Sequence, residues 1–310
     1  MGVFLEALNS VMTIILLIAV GYILQVKGKI TKEIGNFISF LVVNITLPCG
    51  IINTVTTSVD ISRIYELPFY VIAIIISQVL SLGAGAVLAK IFKIDEGKKG
   101  SFIVLTAFNN TLFMGLPVSI ALFGEKSTPI ILYYYIASAI MFWTAGVRII
   151  AGKNCGEKIK IPVPIYGAIA GFILLALNTL NGGSVLPSFM TETMVYLSRM
   201  TTPLSMIFTG YALGEFGLKN IRFDRNINLG LAARFIVSPL IFMAIIVIAG
   251  ADEFYRNVFI VQAFMPVMAT QTIIARKYGA DASYAAVMVT VSTLMSLIII
   301  PLVKTVMVLL

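Results

Sequence analysis

Apolar runs of about twenty residues leave this chain little freedom, because a helix of that length just crosses the hydrocarbon core of a bilayer. Ten such runs follow one another, at roughly 4–26, 34–54, 67–92, 101–122, 128–150, 162–180, 191–214, 227–249, 254–275 and 282–309. The chain is 59% hydrophobic and only 12% charged, against about 45–50% and 25% in soluble domains. The first run, about Phe4 to Val26, has no basic stretch before it and no small-residue cleavage pattern, so it reads as a retained span. The expectation is an all-α integral membrane protein of ten transmembrane helices, surrounded by the lipid bilayer. The connections are short, with no linker and no soluble domain, so any function is expected within the bundle.

The charges orient these spans. The net charge is +8. Lysine and arginine collect in the first, third, fifth, seventh and ninth connections, as at Lys27, Lys29 and Lys32, or at Lys153, Lys158 and Lys160. The alternate connections hold only Arg63, Lys126 and Arg256. Positive loops stay in the cytoplasm, so both termini are expected on the far side of the cell (inner) membrane. Lys304, near the outer end of the last span, is expected to reach the headgroups. No nucleic-acid partner is expected, because that would need a basic patch on a soluble face. The chain has no histidine, and Cys49 and Cys155 lie in a span and in a loop without metal-ligand spacing. No metal or cofactor is expected.

Ten spans divide into five plus five. Five is odd, so a second half built like the first enters the membrane from the opposite side. An inverted 5+5 repeat is therefore expected, with halves at 1–152 and 153–310. The second span of each half carries a proline, Pro48 and Pro203, and the fourth spans carry Pro117 and Pro266.

Those fourth and ninth spans are interrupted. The first interruption is Phe108-Asn109-Asn110-Thr111-Leu112-Phe113-Met114-Gly115-Leu116-Pro117, and the second runs from Gln262 to Thr272. Proline removes a backbone donor and crowds the preceding turn, and Gly115 adds backbone freedom. Non-helical backbone at that depth survives only where it faces protein or a water-filled cavity. Two interrupted spans at matching places in two halves point to a transporter's binding site. Asn109, Asn110, Thr111, Thr270, Gln271 and Thr272 supply amides and hydroxyls there. The plainer reading of such residues is hydrogen bonding between helices; six of them at two breaks favour a site. The half-helix N-termini facing a break carry positive partial charge and suit a carboxylate.

Two arginines fall inside spans, where a charge marks a candidate site. Arg199 is the deeper and joins the candidate site residues. Arg234 lies about two turns from the cytoplasmic end of its span and is expected to snorkel to the headgroups. Tyr133-Tyr134-Tyr135 is expected to form part of an interfacial aromatic belt, with no chemistry. No Asp or Glu falls at a predicted midplane, which removes the usual proton relay. An intramembrane enzyme would need a nucleophile with a base, or a metal site, and the spans offer neither.

Asn110-Thr111-Leu112-Phe113-Met114-Gly115-Leu116-Pro117 resembles the N-T-L-x-M-G-x-P motif of the auxin efflux carrier family, which includes the plant PIN-FORMED carriers. Gln262-Ala263, Pro266 and Ala275-Arg276-Lys277-Tyr278 resemble that family's ninth-span pattern, and Arg234-Phe235 with Pro239 its eighth. The resemblance runs over both halves. It implies a fold like that of the bile-acid sodium symporters and sodium–proton antiporters, with the fourth and ninth helices crossing at their breaks. Spans three to five and eight to ten would form a mobile transport domain. Spans one, two, six and seven would form a scaffold, often paired in a homodimer. An organic anion would bind between the two domains, with Asn110 in contact and Pro117 and Pro266 marking the crossing. The short connection at about Ala151 to Ile161 resembles bacterial members and implies small organic anions such as malate and malonate ahead of auxin-like carboxylates as cargo. The alternative within carriers is a symporter of organic acids coupled to sodium or protons; a channel is the alternative outside them.

Overall fold

The structure is a computed structural model that describes residues 2–58, 66–152, 163–217 and 223–309. Those residues fold as helices, with no strand among them. In the first half they are α1 (Gly2–Val26), α2 (Lys32–Leu41), α3 (Leu47–Ser58), α4 (Glu66–Ile91), α5 (Glu96–Leu105), α6 (Leu116–Phe123), α7 (Thr128–Met141) and α8 (Val147–Ala151). The second half continues with α9 (Val163–Asn181), α10 (Ser188–Arg199), α11 (Thr201–Phe216), α12 (Arg225–Ala232), α13 (Ser238–Ile248), α14 (Glu253–Ala263), α15 (Thr270–Tyr278) and α16 (Ala282–Leu309).

Among the described residues, six helical runs are long and apolar enough to cross a membrane: Lys32–Thr57, Pro68–Ile91, Glu125–Ala151, Val163–Asn181, Arg225–Ile248 and Ala282–Met307. The ten apolar stretches of the sequence exceed that number for a physical reason. Three of the other four, the fourth, seventh and ninth, are each cut in two, at 106–110, at Met200 and at 264–269, and the pieces are too short to span alone; the first is the uninterrupted 25-residue α1, whose described side chains cover only the shorter apolar run Met12–Val26. The connection 153–162, with its basic cluster and Cys155, lies outside the described residues.

Among the described residues, four π-helical turns interrupt the longer runs, at Val42–Thr46, Thr111–Gly115, Phe142–Gly146 and Ala233–Val237. Three of them end two residues before a proline: Pro48, Pro117 and Pro239. A proline ring collides with the carbonyl four residues back and offers no N–H to it. The chain answers by widening one turn. The N–H of Leu47 reaches the carbonyl of Val42, that of Leu116 reaches Thr111, and that of Ser238 reaches Ala233, each five residues back. Pro117 therefore sits in the first turn of α6, where a missing donor costs nothing. The break in that span lies before it.

Small residues bring the helices together. Gly21 of α1 lies against the Ile207 carbonyl of α11, and Gly210 of α11 against the Ile18 carbonyl of α1; a Cβ at either would overlap backbone. Gly167 and Gly171 of α9 pack closely, though less tightly, on Pro48 and Val55 of α3. Close backbone contact of this kind replaces the hydrophobic drive that helices lack in lipid.

The expected aromatic belt is corrected here. Tyr133, Tyr134 and Tyr135 are all buried, in an α7 enclosed by α3, α4, α6 and α14. Tyr134 packs against Phe242 and Phe259. Position near a span's end suggested an interface, but neighbouring helices cover every face of this turn.

Candidate functional site

The two breaks meet. The chain leaves helical geometry after Leu105 and after Ala263, and the freed segments run antiparallel, with Asn109 paired to Val267. The Asn110 N–H donates to the Pro266 carbonyl at 2.8 Å. Pro266 cannot donate in return, and the Val267 N–H instead finds the Ser292 hydroxyl of α16 at 3.0 Å. Buried backbone polar groups must be paired, and here each break satisfies part of the other.

Asparagine side chains lock this joint. Asn109 is fully buried. Its Nδ2 donates to the Tyr134 hydroxyl at 2.9 Å and to the Gln262 carbonyl, and its Oδ1 accepts from the Thr111 hydroxyl at 2.7 Å. Asn110 caps the restarting helix, with Oδ1 accepting from the Phe113 N–H at 3.2 Å. Gln262 lies against Gly115, where a Cβ would overlap its amide, and donates to the Ser119 hydroxyl at 3.0 Å.

Arg234 does not snorkel. It is 0% exposed. Its Nε donates to the Met265 carbonyl at 3.0 Å and its Nη2 to the Ala263 carbonyl; its Nη1 faces the Leu105 carbonyl and the Ser238 hydroxyl, both at 3.4 Å. Length along the span suggested an easy path to the headgroups. The unpaired carbonyls of the breaks are nearer and otherwise unsatisfied.

Beside the joint lies a cavity of about 280 Å³. On one side it is lined by Leu47, Asn53 and Thr54 of α3 and by Ser198, Arg199, Thr201 and Thr202 at the bend between α10 and α11. On the other it is lined by Leu112, Leu116 and Ile120 and by Glu125, Thr128 and Tyr135. Arg199 is the one cation among the lining residues, and its side chain has no hydrogen-bond or ion-pair partner among the described residues. Glu125 accepts a long contact from Thr128 at 3.4 Å.

The candidate residues of the sequence thus separate into three groups. Asn109, Asn110, Thr111, Gly115 and Pro266 are gathered at the joint, with Pro117 just beyond in α6. Arg199 lines the cavity. Gln271 is buried and donates to the Ser101 carbonyl of α5 at 2.6 Å, flanked by half-buried Thr270 and Thr272 on α15. Three further residues share the joint. Position along the chain suggests an aromatic belt for Tyr134 and the headgroups for Arg234; Ser292 is a serine in an apolar span, a signal of pairing that does not name its partner.

A second polar cluster closes the other end of α5. Lys98 Nζ lies 2.9 Å from Asp95 and 3.4 Å from Asp224, and Asn226 donates to Asp95 at 3.0 Å. The hydrogen bond from Lys98 holds the Asp95 carboxyl below its usual range, and the same bond raises the Lys98 ammonium.

A family profile described as membrane transport protein matches residues 6–163 and 157–304. An uncharacterized transporter of Methanocaldococcus jannaschii is 26% identical over 306 residues, which cover 95% of this chain and 97% of that one. An uncharacterized transporter of Methanothermobacter thermautotrophicus is also 26% identical, over 97% of this chain and 98% of its own.

Proposed function

Because the chain belongs to the membrane transport protein family, the group of the auxin efflux carriers, we propose that it is a secondary carrier of small organic anions, working by alternating access. In this reading the ten apolar stretches are ten spans, arranged as a 5+5 inverted repeat divided at residues 152 and 153. The helices broken at 106–110 and 264–269 cross at the joint. Spans three to five and eight to ten move as a transport domain against a scaffold of spans one, two, six and seven. The protein works in the cell membrane, with both termini outside, and pairs through its scaffold into a homodimer.

One observation carries the reading: the cavity beside the joint takes its walls from both proposed domains. Its α3 and α10–α11 walls belong to the scaffold and its Leu112–Tyr135 wall to the transport domain. A ligand held there would feel any sliding of one domain past the other. The cavity offers one free guanidinium for a carboxylate, apolar leucine and isoleucine side chains for a carbon body, and hydroxyls and an amide for further polar groups. The start of the helix that leads into α6 adds positive partial charge next to it. The candidate contacts of this reading are Arg199 in the cavity and Asn110 and Thr111 at the joint; Asn109, Gly115, Pro117 and Pro266 build the joint, and Thr270, Gln271 and Thr272 follow it on α15.

The test is a thermal-shift screen of purified protein against monocarboxylates and dicarboxylates, followed by counterflow of the best ligand in proteoliposomes. Saturable counterflow separates a carrier from a channel and from an enzyme. Arg199→Gln is expected to weaken the ligand by about tenfold to a hundredfold, the worth of a charge-assisted hydrogen bond of about 1.5–3 kcal/mol. Unchanged affinity in that variant would take Arg199 out of the site.

A further inference from the structure

Arg234 has more to do than occupy space. A guanidinium buried to 0% exposure stays only where its desolvation is offset by hydrogen bonds and opposite charge. Among the described residues no carboxylate pairs with it; all four of its acceptors there are neutral oxygens. Leu105 and Ala263, however, are the last residues of α5 and α14. A helix end of unsatisfied carbonyls carries about half a negative charge. Two such ends face Arg234, and together they amount to about one negative charge against one positive. The third carbonyl, of Met265, lies inside the second break.

Arg234 itself is on neither broken helix. It projects from the π-helical turn Ala233–Val237, between α12 and α13, and so joins both breaks from a third element. Carbonyls at half-helix C-terminal ends are also the groups with which carriers of broken-helix architecture coordinate cations. Here a side chain already holds them.

We propose that Arg234 is a built-in cation: its guanidinium neutralises and ties together the two half-helix ends at the joint, the role a bound metal cation would otherwise fill. The joint therefore assembles without sodium. Removing the guanidinium leaves a cage of carbonyl oxygens, with the Ser238 hydroxyl, that takes up an added cation. Arg234 is a positioning residue, which acts on transport by holding Asn109, Asn110 and Pro266 in place.

The experiment uses the full chain in lipid nanodiscs and reads thermal unfolding by circular dichroism. Choline, sodium and methylguanidinium chlorides are compared at equal ionic strength and low millimolar concentration. Wild-type protein is expected to melt at the same temperature in all three. Arg234→Ala is expected to melt lower in choline and to recover, with saturation, on adding methylguanidinium or sodium. Arg234→Lys is expected to fall between the two and to gain nothing from methylguanidinium, because its ammonium occupies the cage. Three results overturn the proposal: saturable stabilisation of the wild type by sodium, an Arg234→Ala protein that melts like the wild type, or an Arg234→Ala protein that no cation restores. If Arg234→Ala does not fold, the wild-type series and Arg234→Lys decide the matter, and methylguanidinium stabilisation of Arg234→Lys then counts against it. The measurement needs no transported substrate, so its failure leaves the carrier reading standing, and failure of the carrier reading leaves this one standing.

Discussion

Asn110 shows how much one side chain can carry at a break. Its backbone N–H holds Pro266, and its side chain caps the turn that restarts the helix at Phe113. Asn110→Ala keeps the first bond and loses the second. The Phe113 N–H is then left without its partner at a half-buried place, at about 1–3 kcal/mol, and the cap itself is worth about 1 kcal/mol. The expected outcome is a folded protein whose uptake in proteoliposomes is abolished or strongly weakened. Normal uptake and normal ligand affinity would remove Asn110 from the site. Asn109 differs, because its amide serves Tyr134, Gln262 and Thr111 at once and sees no solvent. Asn109→Ala is therefore expected to loosen the joint itself, read as a lower melting temperature. The family resemblance already singles out Asn110 of the two neighbours, and the fold supplies a physical reason: Asn109 is turned into the joint while Asn110 caps the restarting helix.

Elements in this molecule are placed by their small residues and their ends. Gly210 of α11 meets the backbone of α1, and a backbone carbonyl cannot move aside as a side chain can. Gly210→Ala is expected to cost about 3 kcal/mol, at the upper end for overpacking, read as a lower melting temperature. Gly83→Ala in α4, where a Cβ would meet nothing within 4 Å, is its control. It is expected to be neutral or to stabilise by up to about 1 kcal/mol through helix propensity. Equal effects from the two would refute the packing argument. The ion cluster at the start of α5 makes a milder claim. The Asp95 carboxyl is lowered, so its contribution is present above the ordinary carboxylate range and is lost as pH falls through its folded value. The Lys98 ammonium is raised, so its contribution is present below the ordinary lysine range and is lost as pH rises through its folded value. The tie between α5 and α12 should therefore hold across the neutral range, and Asp95→Asn should leave melting flat between about pH 5 and 9. Helix positions were legible because apolar length and loop charge are local properties of the chain. The two breaks were legible because Asn-Asn-Thr and Pro266 are local as well. That Arg234 serves both breaks was not, since Leu105 and Ala263 lie 129 and 29 residues away from it and only the folded chain brings them together. The burial of Tyr133–Tyr135 was hidden for the same reason.

At the scale of the whole molecule, topology and driving force are the two expectations that follow. Loop charge predicts that both termini lie outside, so cysteines introduced at 95 or 157 should resist an impermeant thiol reagent in intact cells. Labelling of either from outside would overturn that orientation. Driving force follows from what the spans lack and from what the joint already holds. The chain has no histidine and no acid at a predicted midplane, so a proton has no titratable relay through the bundle. The carbonyl ends that could hold a sodium ion are held by Arg234. A carboxylate bound at Arg199 would then cross as an ion, with no cation to offset it. The inside-negative membrane potential supplies about 2.3 kcal/mol per 100 mV for each charge, in the outward direction for an anion. The basal mode expected is electrogenic export, or passive flux that follows the potential. The rival is symport, with sodium held by Asn109, Gln271 and carbonyls, or with a proton carried on the substrate. The structure puts Asn109 at Tyr134 and Gln271 at Ser101, on separate partners, which weighs against a shared sodium site. Proteoliposomes with a valinomycin-set potassium potential decide between them. Flux that scales with the potential and ignores sodium and pH gradients is the expected result. Flux indifferent to the potential, yet dependent on a sodium or pH gradient, would replace export down the potential with coupled symport.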